Sequence, residues 1–100
     1  MISVDAIQHY PRCRLPYKHW CHMATDGPLS ELHQMAARLG LRRAWFQNKP
    51  GYSHDDLTPG KRAQVLRFGA QAVGTLELVQ RCSPQMLGQG WLPPTKEDAQ

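Results

Sequence analysis

Apolar residues in this chain fall into short groups separated by polar or glycine-bearing joints, and the spacing inside each group predicts an element. ISVDAI, at 2–7, is a β-branched and apolar run ending near an acid, the pattern of a buried first strand. In GPLSELHQMAARLG, at 27–40, Leu29, Leu32, Met35, Ala36 and Leu39 recur at helical spacing. Asp26 stands just upstream as a cap and Gly40 where a left-handed terminator belongs, so a helix is predicted over 28–39. LRRAWFQ, at 41–47, has an aromatic centre close behind Gly40 and reads as a second strand over 42–47, with Trp45 and Phe46 on alternate, covered faces. A polar loop over 48–57 leads to Thr58 as an N-cap and Pro59 at the first helical position, where its missing N–H costs nothing. Ala63 and Leu66 keep the helical spacing and Gly69 ends it, which gives a second helix over 59–68.

ARLGLRRAWF and LRFGAQAVGT share one pattern: a helix end, an apolar residue, a glycine, then an apolar stretch. An αβ unit therefore occurs twice, AQAVG becomes a third strand near 70–74, and TLELVQRC a short third helix. The order βαβαβα within one sheet predicts a small three-layer α/β domain over 1–82 with a mainly parallel sheet and right-handed crossovers. From 83 to 100 the chain carries Pro84, Gly88, Gly90, Pro93 and Pro94 and reads as an irregular C-terminal tail.

That topology gathers the polar residues. In an open parallel sheet, ligands bind beyond the carboxyl ends of the strands, where loops enter helix N-termini that favour anions. The first strand would deliver Asp5 and then a loop with Arg12, Arg14, His19, His22 and Asp26; the second would deliver Gln47 and then His54, Asp55 and Asp56. Two loops, 8–26 and 47–62, are thus expected to form one cleft.

Composition narrows the partners more than the chemistry. With 41% apolar and 20% charged residues the chain is globular rather than disordered, and no apolar run approaches the ~18 residues of a membrane span. The start MISVDAIQHYPR has neither a basic leader nor a sustained apolar segment, so a soluble, cytoplasmic protein is expected. A net charge of +4, with Arg12, Arg14 and Lys18 in one group and Lys61, Arg62 and Arg67 in another, favours anionic partners. Cys13, Cys21 and Cys82 lack the paired close spacing of a zinc or redox motif and read as reduced thiols; CRLPYKHWCH holds thiols and imidazoles at a spacing foreign to zinc knuckles.

HWCHMATD, ELHQMAARLGLRRAWFQ and HDDLTPGKRAQVLRFGA follow one another behind the ISVD start. The ordered set, with its WFQ and His-x-Asp elements, resembles the short bacterial and phage proteins grouped as the domain of unknown function number four thousand and thirty-one, from about Ile2 to Arg81. The resemblance carries over Asp5, His22, Asp26, Glu31, His33, Trp45, Phe46, Gln47, His54, Asp56 and Arg62, while Asp55 stands where the family pattern has an aromatic residue. It implies no established activity; the phage members imply an accessory or host-binding role and the bacterial members a housekeeping one.

His54 and Asp56, two apart, can hold a divalent metal or share a proton as acid and base, and His22 or Asp26 would complete three ligands. The structural account makes Asp56 an acceptor at the Thr58 helix start and His54 a packed ring. His33, in the first helix, reads as an edge-of-core histidine, and Glu31 as a carboxylate suited to the helix dipole. Lys61 and Arg62 oppose that dipole at the second helix N-terminus, a conflict that an anion bound there would remove. Three functions are therefore expected in order. The first is a domain binding a phosphate-bearing ligand, nucleotide or nucleic acid, through Asp5, Gln47, Thr58, Lys61 and Arg62. The second is a metal-assisted phosphoester hydrolase using His22, Asp26, His54 and Asp56 as divalent-metal ligands or acid/base groups. The third is a phage accessory protein that binds a host protein through Tyr17, Trp20 and Tyr52.

Overall fold

HWCHMAT, from His19 to Thr25, is the longest strand and the hub of the sheet. A computed structural model describes residues 1–48 and 53–82. In chain order these form β1 (Ile2–Val4), β2 (Gln8–His9), β3 (His19–Thr25), α1 (Leu29–Arg38), a 3₁₀ turn (Arg43–Trp45), β4 (Asp55–Leu57), α2 (Pro59–Arg67), β5 (Gln71–Ala72) and α3 (Thr75–Cys82). β3 pairs antiparallel with β1, with β2 and with β4, while β5 joins β1 in parallel. The sheet is mixed, and the expectation of a mainly parallel one is corrected.

The physical reason lies in two segments. β3 carries two histidines and a cysteine, so it lacks the continuous apolar run that announces a buried strand, yet Cys21 to Thr25 are all buried. The predicted strand over 42–47 contributes a 3₁₀ turn and one isolated bridge, Gln47↔His54. Trp45 is exposed and Phe46 packs on the margin of the core, so the aromatic run covers the core's edge instead of crossing it.

The C-terminal ends of both α1 and α2 follow their sequence signals. Leu41 N–H reaches Ala36 O at 2.9 Å and Gly40 N–H reaches Ala37 O at 3.0 Å, with Gly40 at φ +75°. This paired closure satisfies two of the orphan carbonyls at the end of α1 and requires the left-handed conformation that glycine adopts without strain. The end of α2 repeats it at Gly69, φ +103°, through Ala70 to Val65 and Gly69 to Leu66. The shared pattern in the sequence thus marks two equivalent helix ends, of which the second leads into a strand. Thr58 caps α2, its Oγ1 accepting from Lys61 N–H, whereas α1 starts at Pro28 with no side-chain cap from Asp26.

Strand alternation sorts the two faces of the sheet. Val4, Cys21, Met23 and Leu57 pack with Leu32, Ala36 and Leu39 of α1 and Val65 of α2. Ala24, on the opposite face of β3, packs with Leu78 and Val79 of α3. Helices therefore cover both faces. Residues 49–52 and 83–100, the latter predicted as an irregular tail, lie outside the described residues.

Candidate functional site

The register Cys21↔Leu57, His22↔Asp56, Met23↔Asp55 places Asp56 beside His22, on the face away from Cys21, Met23 and Leu57. On the other side of β3, Asp5 N–H reaches His22 O at 3.2 Å, which extends the β1 register to an Asp5 and His22 pair. Asp5, His22 and Asp56 thus form one row across three adjacent strands. Between Val4↔Met23 and Gln8↔Trp20 the first chain advances four residues and β3 three, the count of a β-bulge just after Asp5. His54 is fixed by reciprocal backbone bonds with Gln47, at 2.9 and 3.1 Å, two residues before Asp56 and so on the same face.

Side chains converge accordingly. His22 and His54 meet edge to face with ring centroids 5.1 Å apart, and His54 Nε2 lies 3.7 Å from Asp56 Oδ1. One ligand atom from each of His22, His54 and Asp56 lies within 4.8 Å of the others. Two ligands on one tetrahedral ion at bonds of about 2.0–2.2 Å are about 3.3–3.6 Å apart, so closing on an ion takes side-chain adjustments of up to about 1.3 Å. His22 and His54 are buried, and the Asp56 side chain is only 4% exposed.

Asp5 stands behind His22. Its Oδ2 lies 2.7 Å from His22 Nδ1 and its Oδ1 accepts the His22 backbone N–H at 2.6 Å. A carboxylate in its ionised form only accepts, so it favours the proton on Nδ1, and in a neutral imidazole that leaves the lone pair on Nε2, the tautomer that a metal-binding imidazole needs. Thr75 Oγ1 donates to the same Oδ2 at 2.9 Å, Gln8 Nε2 donates to Thr75 Oγ1 at 2.9 Å, and Tyr10 Oη donates to Gln8 Oε1 at 3.1 Å. Burial, then the charges of Asp5 and Asp56, push the Tyr10 phenol up to about 12. Arg62 Nε donates to the Asp5 backbone carbonyl at 2.8 Å, setting a positive charge against this end of β1.

The remaining predicted residues divide. Asp26 lies at the far end of β3, where its carboxylate and that of Glu31 receive the Met1 amine at 2.8 and 2.9 Å; it is not brought to His22. Gln47 acts through its backbone, its side chain turning to Trp45 O at 3.4 Å. Lys61 Nζ donates to Leu39 O at 2.5 Å, joining the start of α2 to the end of α1. His33 meets Phe46 edge to face, with ring centroids 4.6 Å apart, and burial followed by Arg43 lowers its pKa. Asp55 faces the core with Leu57; burial, then Asp56, push its carboxyl up to about 6, and its Oδ2 has no hydrogen-bond partner among the described residues. Cys21 also faces the core, its thiol pushed up to about 12 by burial and then Asp5, so it is no companion ligand to His22.

Sequence reasoning missed Gln8, Tyr10 and Thr75. Thr75 is 70 residues from Asp5 and reads only as a helix start; no local spacing signals the contact.

Next to the cluster is a cavity of about 710 Å³. Tyr17 lines it from the segment leading into β3 and Trp20 from β3 itself, Leu41 and Trp45 from the segment after α1, and Thr58–Lys61 from the start of α2, with Asp56 in its wall. Among the described residues no helix is long and apolar enough to cross a membrane.

No curated protein matches the chain, and no solved structure does. A family model does: residues 3–85 match the family described as protein of unknown function (DUF4031), and with most of its length so covered the chain belongs to that family.

Proposed function

We propose that the protein binds a divalent metal through His22, His54 and Asp56 and uses it to hold and hydrolyse a phosphoester. The observation that carries this reading is the Asp5 carboxylate on His22 Nδ1, 2.7 Å away, at the edge of a cluster of two imidazoles and a carboxylate. A histidine placed only for packing needs no buried carboxylate to set its tautomer, whereas metal-ligating histidines characteristically have one. Two nitrogens and one carboxylate oxygen suit zinc or manganese better than magnesium or calcium, which prefer all-oxygen sets. Three protein ligands leave positions for water and substrate, and a bound metal lowers the pKa of that water and polarises a phosphoryl oxygen. Arg62 supplies positive charge beside the cluster, in keeping with an anionic substrate.

Calorimetric titration with Zn²⁺ and Mn²⁺ should give one ion per chain, and His54→Ala and Asp56→Asn should each weaken it by about tenfold or more. Turnover of bis(p-nitrophenyl) phosphate should follow the metal, vanish with chelator and vanish in both variants. A folded wild type that takes up neither ion refutes the reading; uptake without turnover reduces it to a metal-dependent binder.

A further inference from the structure

We infer that the cavity beside Asp56 seats a nucleobase by stacking, so that the phosphate attached to it is presented to the metal cluster. This names the substrate class of the proposed phosphoester site and rests on that reading for the phosphate end alone. Three features carry it. Asp56 belongs both to the metal-binding group and to the wall of the cavity, so a ligand in the cavity lies against the site. The cavity, at about 710 Å³, is within the range of small-ligand sites and is lined by two indoles and a phenol, those of Trp20, Trp45 and Tyr17. The chain has a net charge of +4, and Arg12 and Arg14 are exposed on the segment that also supplies Tyr17 and Trp20. Planar aromatic faces beside positive charge are what single-stranded nucleic acids and nucleotides require, because every base offers a π-face and every sugar carries a phosphate.

Two polar lining groups are engaged within the protein. Thr58 Oγ1 accepts from Lys61 N–H, and Lys61 Nζ is held on Leu39 O. With three aromatic rings in the wall, recognition on this inference is chiefly of base faces, and discrimination among bases is weak. Trp45 is the critical ring for testing this: it is 45% exposed, with the Arg42 guanidinium 5.8 Å from its ring centre, so its removal leaves the core intact.

The test uses the full chain, a fluorescein-labelled thymidylate hexamer, and polarisation with and without Mn²⁺. Trp45→Leu and Tyr17→Ala should each weaken hexamer binding by about tenfold, with Mn²⁺ affinity by calorimetry unchanged. Unlabelled thymidine monophosphate should compete at least about tenfold better than ribose 5-phosphate, and an adenylate hexamer should bind like the thymidylate one. The tighter of monophosphate and hexamer then identifies a free nucleotide or a strand as the source of the base, and either supports the inference. It is overturned if both variants bind the hexamer as wild type does, or if ribose 5-phosphate competes as well as the nucleotide. Loss of hexamer binding in the variants of a protein that binds no Mn²⁺ would sustain the base site and remove the metal reading; Mn²⁺ binding with no effect of either ring would do the reverse.

Discussion

Replacing Asp5 by Asn isolates the group that distinguishes a metal-binding histidine from a packed one. The carboxylate accepts three hydrogen bonds, from His22 N–H at 2.6 Å, from His22 Nδ1 at 2.7 Å and from Thr75 Oγ1 at 2.9 Å. Asparagine keeps one oxygen. If that oxygen stays on the His22 backbone N–H, the amide NH₂ faces Nδ1, which must then accept, and the imidazole proton moves to Nε2, where a metal needs the lone pair. If the oxygen turns to Nδ1, the NH₂ opposes the His22 backbone N–H instead. Either way one buried bond is lost and the rest become neutral. Hydrogen bonds to charged groups are worth about 1.5–3 kcal/mol and neutral ones about 1 kcal/mol; the weakening of all three is offset in part because a neutral amide costs less to bury than a carboxylate, so a net loss of about the size of one charged bond, about 1–3 kcal/mol, is expected in the metal-free protein. In a domain of this size that lowers Tm by roughly 4–8 °C per kcal/mol. Metal affinity should fall by about 10- to 100-fold, the cost of losing an outer carboxylate. Thermal melts in chelator and calorimetric titration with Zn²⁺ at neutral pH measure the two effects separately, and ¹⁵N shifts of the imidazole report the tautomer. A folded Asp5→Asn protein with wild-type affinity, or a wild-type His22 carrying its proton on Nε2, would refute the reasoning.

Gly40→Val should destabilise by about 1–2 kcal/mol, because at φ +75° a side chain is strained even though the nearest atom, Lys61 Nζ, would be 3.8 Å from its Cβ; urea unfolding should show a lower midpoint with the same slope. Asp55→Asn should flatten the pH dependence of stability in chelator. The Asp55 pKa rises from 3.8 to about 6 on folding, so its contribution is full below pH ~3.8 and is lost as pH rises through about 6; by linkage wild type loses at most about 3 kcal/mol across that window relative to the variant. Melting curves at closely spaced pH values check the sign, and a wild type that gains stability relative to Asp55→Asn over the window contradicts it. With Mn²⁺ present, phosphate should raise the Tm of wild type more than that of Arg62→Ala, since only wild type retains the guanidinium beside Asp5; equal shifts would remove Arg62 from the site.

Much of the fold was legible where local chemistry decides local structure. Gly40, Gly69, Thr58 and Pro59 bound their helices as their backbone preferences require. Strand pairing was not legible, because parallel or antiparallel pairing is set by which surfaces bury each other and not by any one residue. The decisive segment was His19–Thr25, whose polar residues hide a buried strand. It is buried because Asp5, across the sheet, takes up the His22 donors and makes a polar face tolerable in the interior. For the same reason the site was half legible: His22, His54 and Asp56 have the side chains of metal ligands, but their convergence depends on β3 lying between β1 and β4. Asp26 looked equivalent to them in composition and sits at the opposite end of the strand.

A small domain that buries two histidines and three carboxylates has spent much of its interior on groups that oppose folding. One sheet face holds Val4, Cys21, Met23 and Leu57, which apolar helices cover; on the other, Asp5, His22, His54 and Asp56 occupy positions where aliphatic side chains would pack without any polar debt to settle. Replacing a buried, hydrogen-bonded polar group by a well-packed apolar one is often neutral or stabilising, so stability alone gives no reason to keep the row. A ligand that binds only the folded chain supplies one, because it adds RT ln(1 + [L]/Kd), about 2.7 kcal/mol at a hundredfold excess over Kd. An anion cannot be that ligand among Asp5 and Asp56, where it would meet two carboxylates. A cation can, and it would then present its own charge to a phosphate in the neighbouring cavity. The basic charge, the acidic row and the aromatic wall fit the proposal of a metal between carboxylate and phosphate.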